Sequence, residues 1–204
     1  LFQFRFGELY GDMEIIKTKC YSVDEDPVLT IQFDALTQAT PVDTTEPDFV
    51  PFPQANDLDK IIDLVISFNE ELSSKEAIAE YFEFDERQGD YYANAAIYLG
   101  FLNRGDSRGD FTLTSLGQEL QRCRTRRCRN TLLLSQLFMR PTFRYSIKLL
   151  HESHLNVDSI SIEDIAEIIH RFDVRYNKVT RNRRASTVKS WLRWVWANIN
   201  FINE

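Results

Sequence analysis

Apolar residues recur at helical spacing from residue 57 onward, whereas shorter strand-like runs occupy the first 35 residues. The runs Leu1–Phe6, Met13–Tyr21 and Val28–Phe33 are separated by turn residues, which predicts a β-hairpin or meander segment over 1–35. Residues 36–56 carry four prolines among acids and threonines. This composition is typical of an extended linker, so we expect a domain boundary there.

Helix-start signals divide residues 57–100 into three predicted helices. The first helix has the acids Asp57, Asp59 and Asp63 in its first turns, where negative charge is favourable. The other two start at capping boxes, Ser73 with Glu76 and Asp85 with Gln88. We expect the third helix to run from about Glu86 to Leu99 and to end at Gly100, because glycine favours the position after a helix end.

A hairpin and a further helix complete this unit. Two short apolar strands, Phe101–Asn103 and Phe111–Leu113, flank a turn that contains glycine, and Thr114 or Ser115 starts the next helix. The order of three helices, a hairpin and a helix is typical of a winged helix. We therefore predict a first winged helix over 57–125.

The same order recurs less clearly over 126–204. Helical stripes with their caps follow one another at Thr131–Phe138, Thr142–His151, Ile162–His170 after Ser161, and Arg181–Asn198 after Thr180. We predict a second helix-turn-helix unit there, without an obvious wing. The expected fold is mainly α with small β-hairpins, an α+β class, in which tandem winged-helix or helix-turn-helix units follow a short β-rich N-terminal segment.

The last predicted helix combines an apolar face with a group of cations. Ala185, Val188, Leu192 and Val195 fall on one face at helical spacing. The remaining faces carry basic and hydroxyl residues suited to DNA, which are Lys178, Arg181, Arg183, Arg184, Thr187 and Lys189. Arginines at the start of a recognition helix can pair with guanine in the major groove. A phosphate clamp without base reading fits the pattern equally well, and a solvated basic helix end is the simpler interpretation.

Charge is segregated along the chain, and the net charge of −7 conceals this. Residues 1–86 hold 20 acids and 5 bases, whereas residues 87–204 hold 11 acids and 19 bases. The balances of the two parts are thus −15 and +8. Such a chain can present a positive face to phosphates while its acidic part faces away or binds a basic partner.

Three strings in the chain, Asp85–Gly100, Leu113–Gly117 and Arg183–Trp191, resemble the paired winged-helix region of bacterial type II restriction endonucleases and related defence proteins. The resemblance covers roughly residues 48–198. It implies DNA binding within a restriction system, beside a separate nuclease domain, and it transfers no individual base contact to this chain.

Two functions follow as expectations. The first is a DNA-binding module of a type II restriction endonuclease, which positions a nuclease domain or subunit on duplex DNA. The alternative is a stand-alone winged-helix transcriptional regulator, for which we expect a homodimer that uses the acidic N-terminal segment. A protein-interaction module is a third, weaker interpretation.

Further candidate contacts lie outside the last helix. An arginine-rich stretch of eight residues contains Arg122, Arg124, Arg126, Arg127 and Arg129, which suit phosphates. A helix C-terminus favoured by cations is the alternative for these five. The first unit offers Arg87, Gln88 and Asn94 for bases and Arg104 and Arg108 in the wing.

Catalytic residues cannot be assigned from the sequence. Asp48 would suit the first acid of a PD-(D/E)xK nuclease, but Asp57, Asp59 and Lys60 have the wrong register for its second half. Whether the chain is an enzyme is therefore uncertain. We predict no cofactor in this chain, and Mg²⁺ only if a nuclease domain exists elsewhere.

Cysteine use and hydropathy indicate the expected compartment. Cys20, Cys123 and Cys128 form no CxxC motif and complete no zinc spacing, so we expect reduced thiols and no metal. No apolar run approaches the roughly 20 residues of a membrane helix. A cytoplasmic location without a membrane partner is therefore expected.

Overall fold

The computed structural model describes residues 28–106, 109–154 and 156–202. In these ranges the chain is mainly helical with four short strands, so the predicted α+β class is confirmed. The elements in chain order are β1 (Leu29–Gln32), α1 (Phe33–Ala39), α2 (Leu58–Ser67), a 3-10 turn (Glu70–Leu72), α3 (Lys75–Tyr81), α4 (Glu86–Tyr98), β2 (Leu102–Arg104), β3 (Phe111–Leu113), α5 (Ser115–Arg122), α6 (Arg126–Met139), α7 (Pro141–Glu152), α8 (Ile162–Phe172), α9 (Lys178–Asn198) and β4 (Ile199–Ile202).

Polar side chains cap most helix starts, because the first amides of a helix lack intrahelical partners. The caps predicted at Asp85 and Ser161 are confirmed, and each side chain accepts from the backbone amide three residues later. Asp57, predicted only as an acid of the first turns, caps α2 in the same way. At the opposite end of α4, Gly100 has a φ of +80°, as its predicted place after the helix requires.

Two predicted caps were wrong. Ser74, not Ser73, starts α3, because Ser73 ends the preceding 3-10 turn and its hydroxyl donates to the Glu70 carbonyl. The cap of α9 is Asn177, whose Oδ1 accepts from the amide of Thr180 at 2.9 Å. The last helix therefore starts three residues earlier than the sequence indicated.

The strands β2 and β3 form the predicted antiparallel hairpin, in which Leu102 faces Leu113. A single bridge between Ser74 and Asp110 ties the hairpin to the start of α3. The amide of Phe111 also donates to the Ser73 carbonyl at 2.7 Å. The hairpin is thus held against the connection between α2 and α3.

The run Val28–Phe33 was predicted to belong to a local hairpin or meander, and that pairing stays a prediction. Its strand β1 pairs in parallel with β4 at the other end of the described chain, with Leu29 opposite Ile199. After β1, a helix rather than a further strand residue begins at Phe33. The strands predicted over Leu1–Phe6 and Met13–Tyr21 lie outside the described residues.

Residues 40–57 are irregular, as expected for most of the linker predicted over 36–56, but α1 occupies residues 36–39 of that linker. Val50, Phe52 and Ala55 in this segment are buried and belong to the same hydrophobic core as the helices. The segment therefore packs into the core and is not set apart from it. The domain boundary predicted there stays a prediction.

Aromatic rings form the centre of this core, between α4, α7 and α9. Trp191 is fully buried and stacks on Phe143 with ring centroids 5.0 Å apart. Its indole nitrogen donates to the Ala55 carbonyl at 2.8 Å, and the ring of Tyr98 lies 6.4 Å away. The last helix is therefore anchored by its middle, which leaves its first turns at the surface.

The expectation of reduced thiols was wrong for two of the three cysteines. Cys123 and Cys128 form a disulfide across the turn between α5 and α6. The two helix ends bring the residues together, since Cys123 terminates α5 and Cys128 lies in the first turn of α6. In the part of the chain that the structure describes, no helix has the length and apolar character required to cross a membrane.

Candidate nucleic-acid interface

Helix α9 buries one face and exposes the other near its start. Ala185, Val188, Leu192 and Val195 are fully buried, as the periodicity predicted. Lys178 and Arg183 lie on the exposed side. The apolar face fixes the helix on the core, and cations of the first two turns are left at the surface.

Three arginines of this helix have no carboxylate within ion-pair distance among residues 28–106, 109–154 and 156–202. Arg181 contacts the Nδ1 of His170 at 2.8 Å and donates to the Tyr176 carbonyl at 3.3 Å. The guanidinium of Arg184 lies over the ring of Tyr176, 5.5 Å from its centroid. Arg183 is exposed. Their charge is therefore available to an outside anion.

Tyr91 of helix α4 is close enough to Arg184 of α9 to act on it electrostatically. Burial lowers the pKa of Arg184, and the neighbouring Arg183 lowers it further, whereas Tyr176 and Tyr91 act in the opposite direction. Tyr91 belongs to α4, and Arg87 donates to its hydroxyl while lying over its ring. We call Arg87, Tyr91, Tyr176, Arg183 and Arg184 the basic-aromatic patch.

Several predicted contacts are instead engaged within the protein. Thr187 is buried and its hydroxyl donates to the Asn56 side chain at 2.8 Å. The Lys189 ammonium donates to the carbonyls of Asp158 and Ile160, at 3.1 and 2.7 Å. These two residues fix the surroundings of α9, and neither points freely into solvent.

Within α4, the exposed residues are confined to the first turn. Gln88 is exposed beside Arg87, but Asn94 is buried, donates to Asp90 at 2.8 Å and accepts from Arg104. Arg104 also pairs with Asp90 at 3.5 Å. The Arg104 side chain thus ties the hairpin to α4, and Arg108 lies outside the described residues.

The hairpin is bordered by acids. A cleft of about 550 Å³ beside β3 is lined by Glu70, Asp106 and Asp110 together with apolar residues that include Phe68 and Phe111. Carboxylates there would repel phosphates. The side of the first unit that carries this cleft is therefore a poor surface for DNA.

The arginine-rich stretch spans the turn between α5 and α6. Arg122 ends α5, where a cation is favourable, whereas Arg126, Arg127 and Arg129 fall at the start of α6. The N-terminus of a helix carries partial positive charge, so the cations there are not placed to stabilise it. The alternative of a favoured helix C-terminus applies to Arg122 alone, and Arg124 lies exposed between the helices.

One comparison with known proteins identifies a family. A family model described as a domain of unknown function (DUF7226) matches residues 60–200. The chain belongs to the DUF7226 family. No curated protein matches the chain, and neither does any solved structure. The DUF7226 match spans α3 to α9 and so includes the helices that carry Arg87, Tyr91, Arg183 and Arg184.

Two of the acids considered for a nuclease make structural contacts within the DUF7226 chain. Asp57 caps α2, and Asp59 accepts from the indole nitrogen of Trp194 at 2.8 Å. Lys60 lies over the ring of Phe84, 4.4 Å from its centroid. Over the described ranges, no three His, Cys, Asp or Glu side chains are grouped so that they could hold a metal ion.

Sequence reasoning missed Tyr176 and Arg175, which organise the surface of this DUF7226 protein next to α9. Arg175 pairs with the buried Asp173 at 2.6 Å, and the guanidiniums of both Arg175 and Arg184 lie over the ring of Tyr176. The string Asp173-Val174-Arg175-Tyr176 offered a signal, because a charged pair with an adjacent tyrosine directly precedes the helix. Its contacts across the chain, however, depend on the fold.

Proposed function

We propose that the chain binds duplex DNA through its basic-aromatic patch, as the DNA-binding module of a type II restriction endonuclease whose nuclease lies elsewhere. The observation that carries this proposal is the set of arginines at the start of α9 that have no carboxylate partner among the described residues. Acids outnumber bases in the chain by 31 to 24, so local charge neutralisation was readily available to it. Unpaired neighbouring guanidiniums in such a chain are best explained by an external polyanion.

The element order supports a winged-helix interpretation of residues 57–125. Helices α2, α3 and α4 are followed by the β2–β3 hairpin and by α5. The bridge from Ser74 to Asp110 holds this hairpin beside the helices, as a wing would require. We propose that α6 to α9 form the second helix-turn-helix unit, with α9 as its recognition helix.

The start of α9 is the part that we propose enters the major groove. Recognition helices contact bases with their first residues, and arginine there can give two hydrogen bonds to one guanine. Arg183 is the exposed candidate for this contact, while Arg184 is held over Tyr176 and suits a phosphate. The Tyr176 ring restricts the motion of that guanidinium, so less entropy is lost on binding.

Arg183→Ala tests the proposal. We expect it to weaken binding to a mixed-sequence duplex. If Arg183 contacts a phosphate rather than a base, the slope of log affinity against log salt also falls by about 0.9. If Arg183 reads a guanine, the loss is ~1–3 kcal/mol. Binding is measured by fluorescence anisotropy over a salt series, with and without Mg²⁺, and cleavage is followed on the same samples.

Arg193→Ala is the matched control. It removes the same charge from the same helix, but Arg193 pairs with Asp158 at 2.7 Å and lies at the other end of α9. Equal losses in the two variants would mean that only net charge matters, and would contradict a site at the start of α9. No binding by the wild-type protein at low salt would refute the proposal and favour a protein-interaction module.

Assays of DNA cleavage and of oligomeric state distinguish the nuclease module from the transcriptional regulator. Binding without cleavage by this chain supports the module of a nuclease whose catalytic part lies elsewhere. A stable dimer that binds a palindromic site and never cuts, even within the whole protein, would support the stand-alone transcriptional regulator instead.

A further inference from the structure

The segment 46–52 carries an exposed phenylalanine on a firmly held backbone. Phe49 is 70% exposed, although the hydrophobic residues Val50 and Phe52 beside it are buried. A single exposed apolar side chain is ordinary on a protein surface. What distinguishes Phe49 is the rigidity of its support and the chemistry of its neighbours.

Four hydrogen bonds attach this segment to the loop that precedes α9. The Glu46 amide donates to the Phe172 carbonyl at 3.1 Å, and the Phe52 amide donates to the Tyr176 hydroxyl at 3.1 Å. Between them, the Arg175 guanidinium donates to the carbonyls of Pro47 and Asp48, at 2.9 and 3.2 Å. Both flanks of Phe49 are therefore fixed.

The support of this guanidinium is itself buried. Arg175 makes a bidentate pair with Asp173, with contacts of 2.9 and 2.6 Å, and the carboxylate side chain is only 1% exposed. Charge-assisted bidentate pairs of this kind fix both side chains in orientation. Phe49 thus projects from a braced loop, and the ring loses little conformational freedom if it meets a ligand.

Tyr176 connects this loop to the basic-aromatic patch. Its hydroxyl accepts from Phe52, while its ring lies under Arg184. Phe49 is three residues from Phe52, a distance that the chain spans in at most about 11 Å. Val174 and Val179, 75% and 72% exposed, flank Tyr176 in the chain on either side. Exposed apolar side chains therefore lie near, along the chain or through one hydrogen bond, the residue that holds Arg184.

We propose that Phe49 is a wedge that enters the base stack of duplex DNA held at the basic-aromatic patch. The proposal rests on the DNA binding proposed above. Proteins that bind the minor groove often insert an apolar side chain between base pairs, which partly unstacks the step and bends the duplex. With the start of α9 in the major groove, Phe49 would act from the adjacent minor groove. A phenylalanine on a braced loop beside arginines has the chemistry that such insertion requires, since its ring can stack on any base.

The test compares two duplexes of identical sequence, one fully paired and one with a single central mismatch. Opening a mismatched step costs less, so a protein that inserts a wedge binds the mismatched duplex more tightly. We expect the wild-type protein to show this preference. Phe49→Ala should abolish it and weaken binding to the paired duplex about tenfold, while Phe49→Trp should retain it.

Val42→Ala is the control, because Val42 is also an exposed apolar residue of the irregular segment, 41% accessible, and precedes the loop of Phe49. It should behave as the wild type. Unchanged affinity and preference in Phe49→Ala would overturn the wedge and leave DNA binding intact. A wild-type protein that binds neither duplex would overturn both proposals. If Phe49→Ala changes only the sedimenting mass of the protein, Phe49 belongs to a contact between copies of the chain, and the wedge is wrong.

Discussion

Glu46→Gln should make the protein increasingly more stable than the wild type as the pH rises above 4.5. The Glu46 carboxyl is 5% exposed, and it accepts from the Tyr98 hydroxyl at 2.5 Å and from the Thr142 amide at 2.9 Å. Burial raises its pKa above the ordinary value of 4.5, and these hydrogen bonds with the nearby Arg140 offset the rise only in part. The folded state therefore holds this proton more tightly than the unfolded chain.

The sign of the pH effect follows from linkage. A carboxyl whose pKa is raised by folding gives its full contribution to stability below its unfolded pKa, and that contribution is lost as the pH rises through the folded pKa. The largest slope that one proton can produce is about 1.4 kcal/mol per pH unit. Glutamine has no proton to lose, keeps an acceptor for Thr142 and can donate to Tyr98.

The assay is urea unfolding followed by tryptophan fluorescence at a series of pH values between about 4 and 8. The free energy of unfolding of Glu46→Gln minus that of the wild type should rise from pH 4.5 and then level off above the folded pKa. The height of the plateau measures the pKa shift. Glu152→Gln, at the exposed pair with Lys148, is the control and should give a nearly flat difference. A flat or falling curve for Glu46→Gln would refute the reasoning, because it would mean that the hydrogen bonds and Arg140 outweigh burial.

Two further predictions concern the helices that position the candidate interface. Gly89→Ala should lower the free energy of unfolding by ~1–3 kcal/mol, because a Cβ there would lie 2.3 Å from the Lys75 carbonyl oxygen and force α3 away from α4. An unchanged midpoint in urea unfolding would show that the two helices separate without cost. Asn177→Ala should lower the free energy of unfolding by ~1 kcal/mol, because it removes the cap of α9, and Thr180→Ala should lower it distinctly less, since the Asn177 side chain accepts from the backbone of the first turn. If Thr180→Ala costs more in the same assay, α9 starts at Thr180, as the sequence predicted.

Local signals in the sequence predicted the fold well wherever neighbouring residues decide the structure. The cap at Asp85, the glycine after α4 and the hairpin all follow from residues within a few positions of one another. The same holds for the buried face of α9, where helical spacing identified Ala185 and Val188. These elements form for reasons that a single stretch of chain contains.

Contacts between distant stretches could not be predicted in this way. The parallel pairing of β1 with β4 joins opposite ends of the described chain, and the sequence of neither strand identifies the other as its partner. Residues 40–57 resembled a solvated linker in composition, yet Phe52 and Ala55 pack against the core. Within the candidate site, the cations of α9 were foreseen, whereas the roles of Tyr176 and Arg175 arise from contacts with residues 47–52.

The burial of predicted contacts has a similar cause. Thr187 and Asn94 are polar and lie on helices, so the sequence favoured solvent for both. Each instead has a partner on another element or turn, Asn56 for Thr187 and Arg104 for Asn94. The polar residues that face inward on a helix are therefore determined by tertiary contacts, which the sequence of the helix alone does not contain.

The pairing of β1 with β4 sets the order in which the protein can mature on the ribosome. Leu29 and Ile199 are 170 residues apart, and synthesis at roughly 5–20 residues per second separates their appearance by about 10–30 s. During that interval the apolar side chains of β1 and Phe33 lack the strand and the Phe201 ring that later cover them. Helices from α2 to α5 can assemble meanwhile through short-range contacts, but β1 must wait for β4.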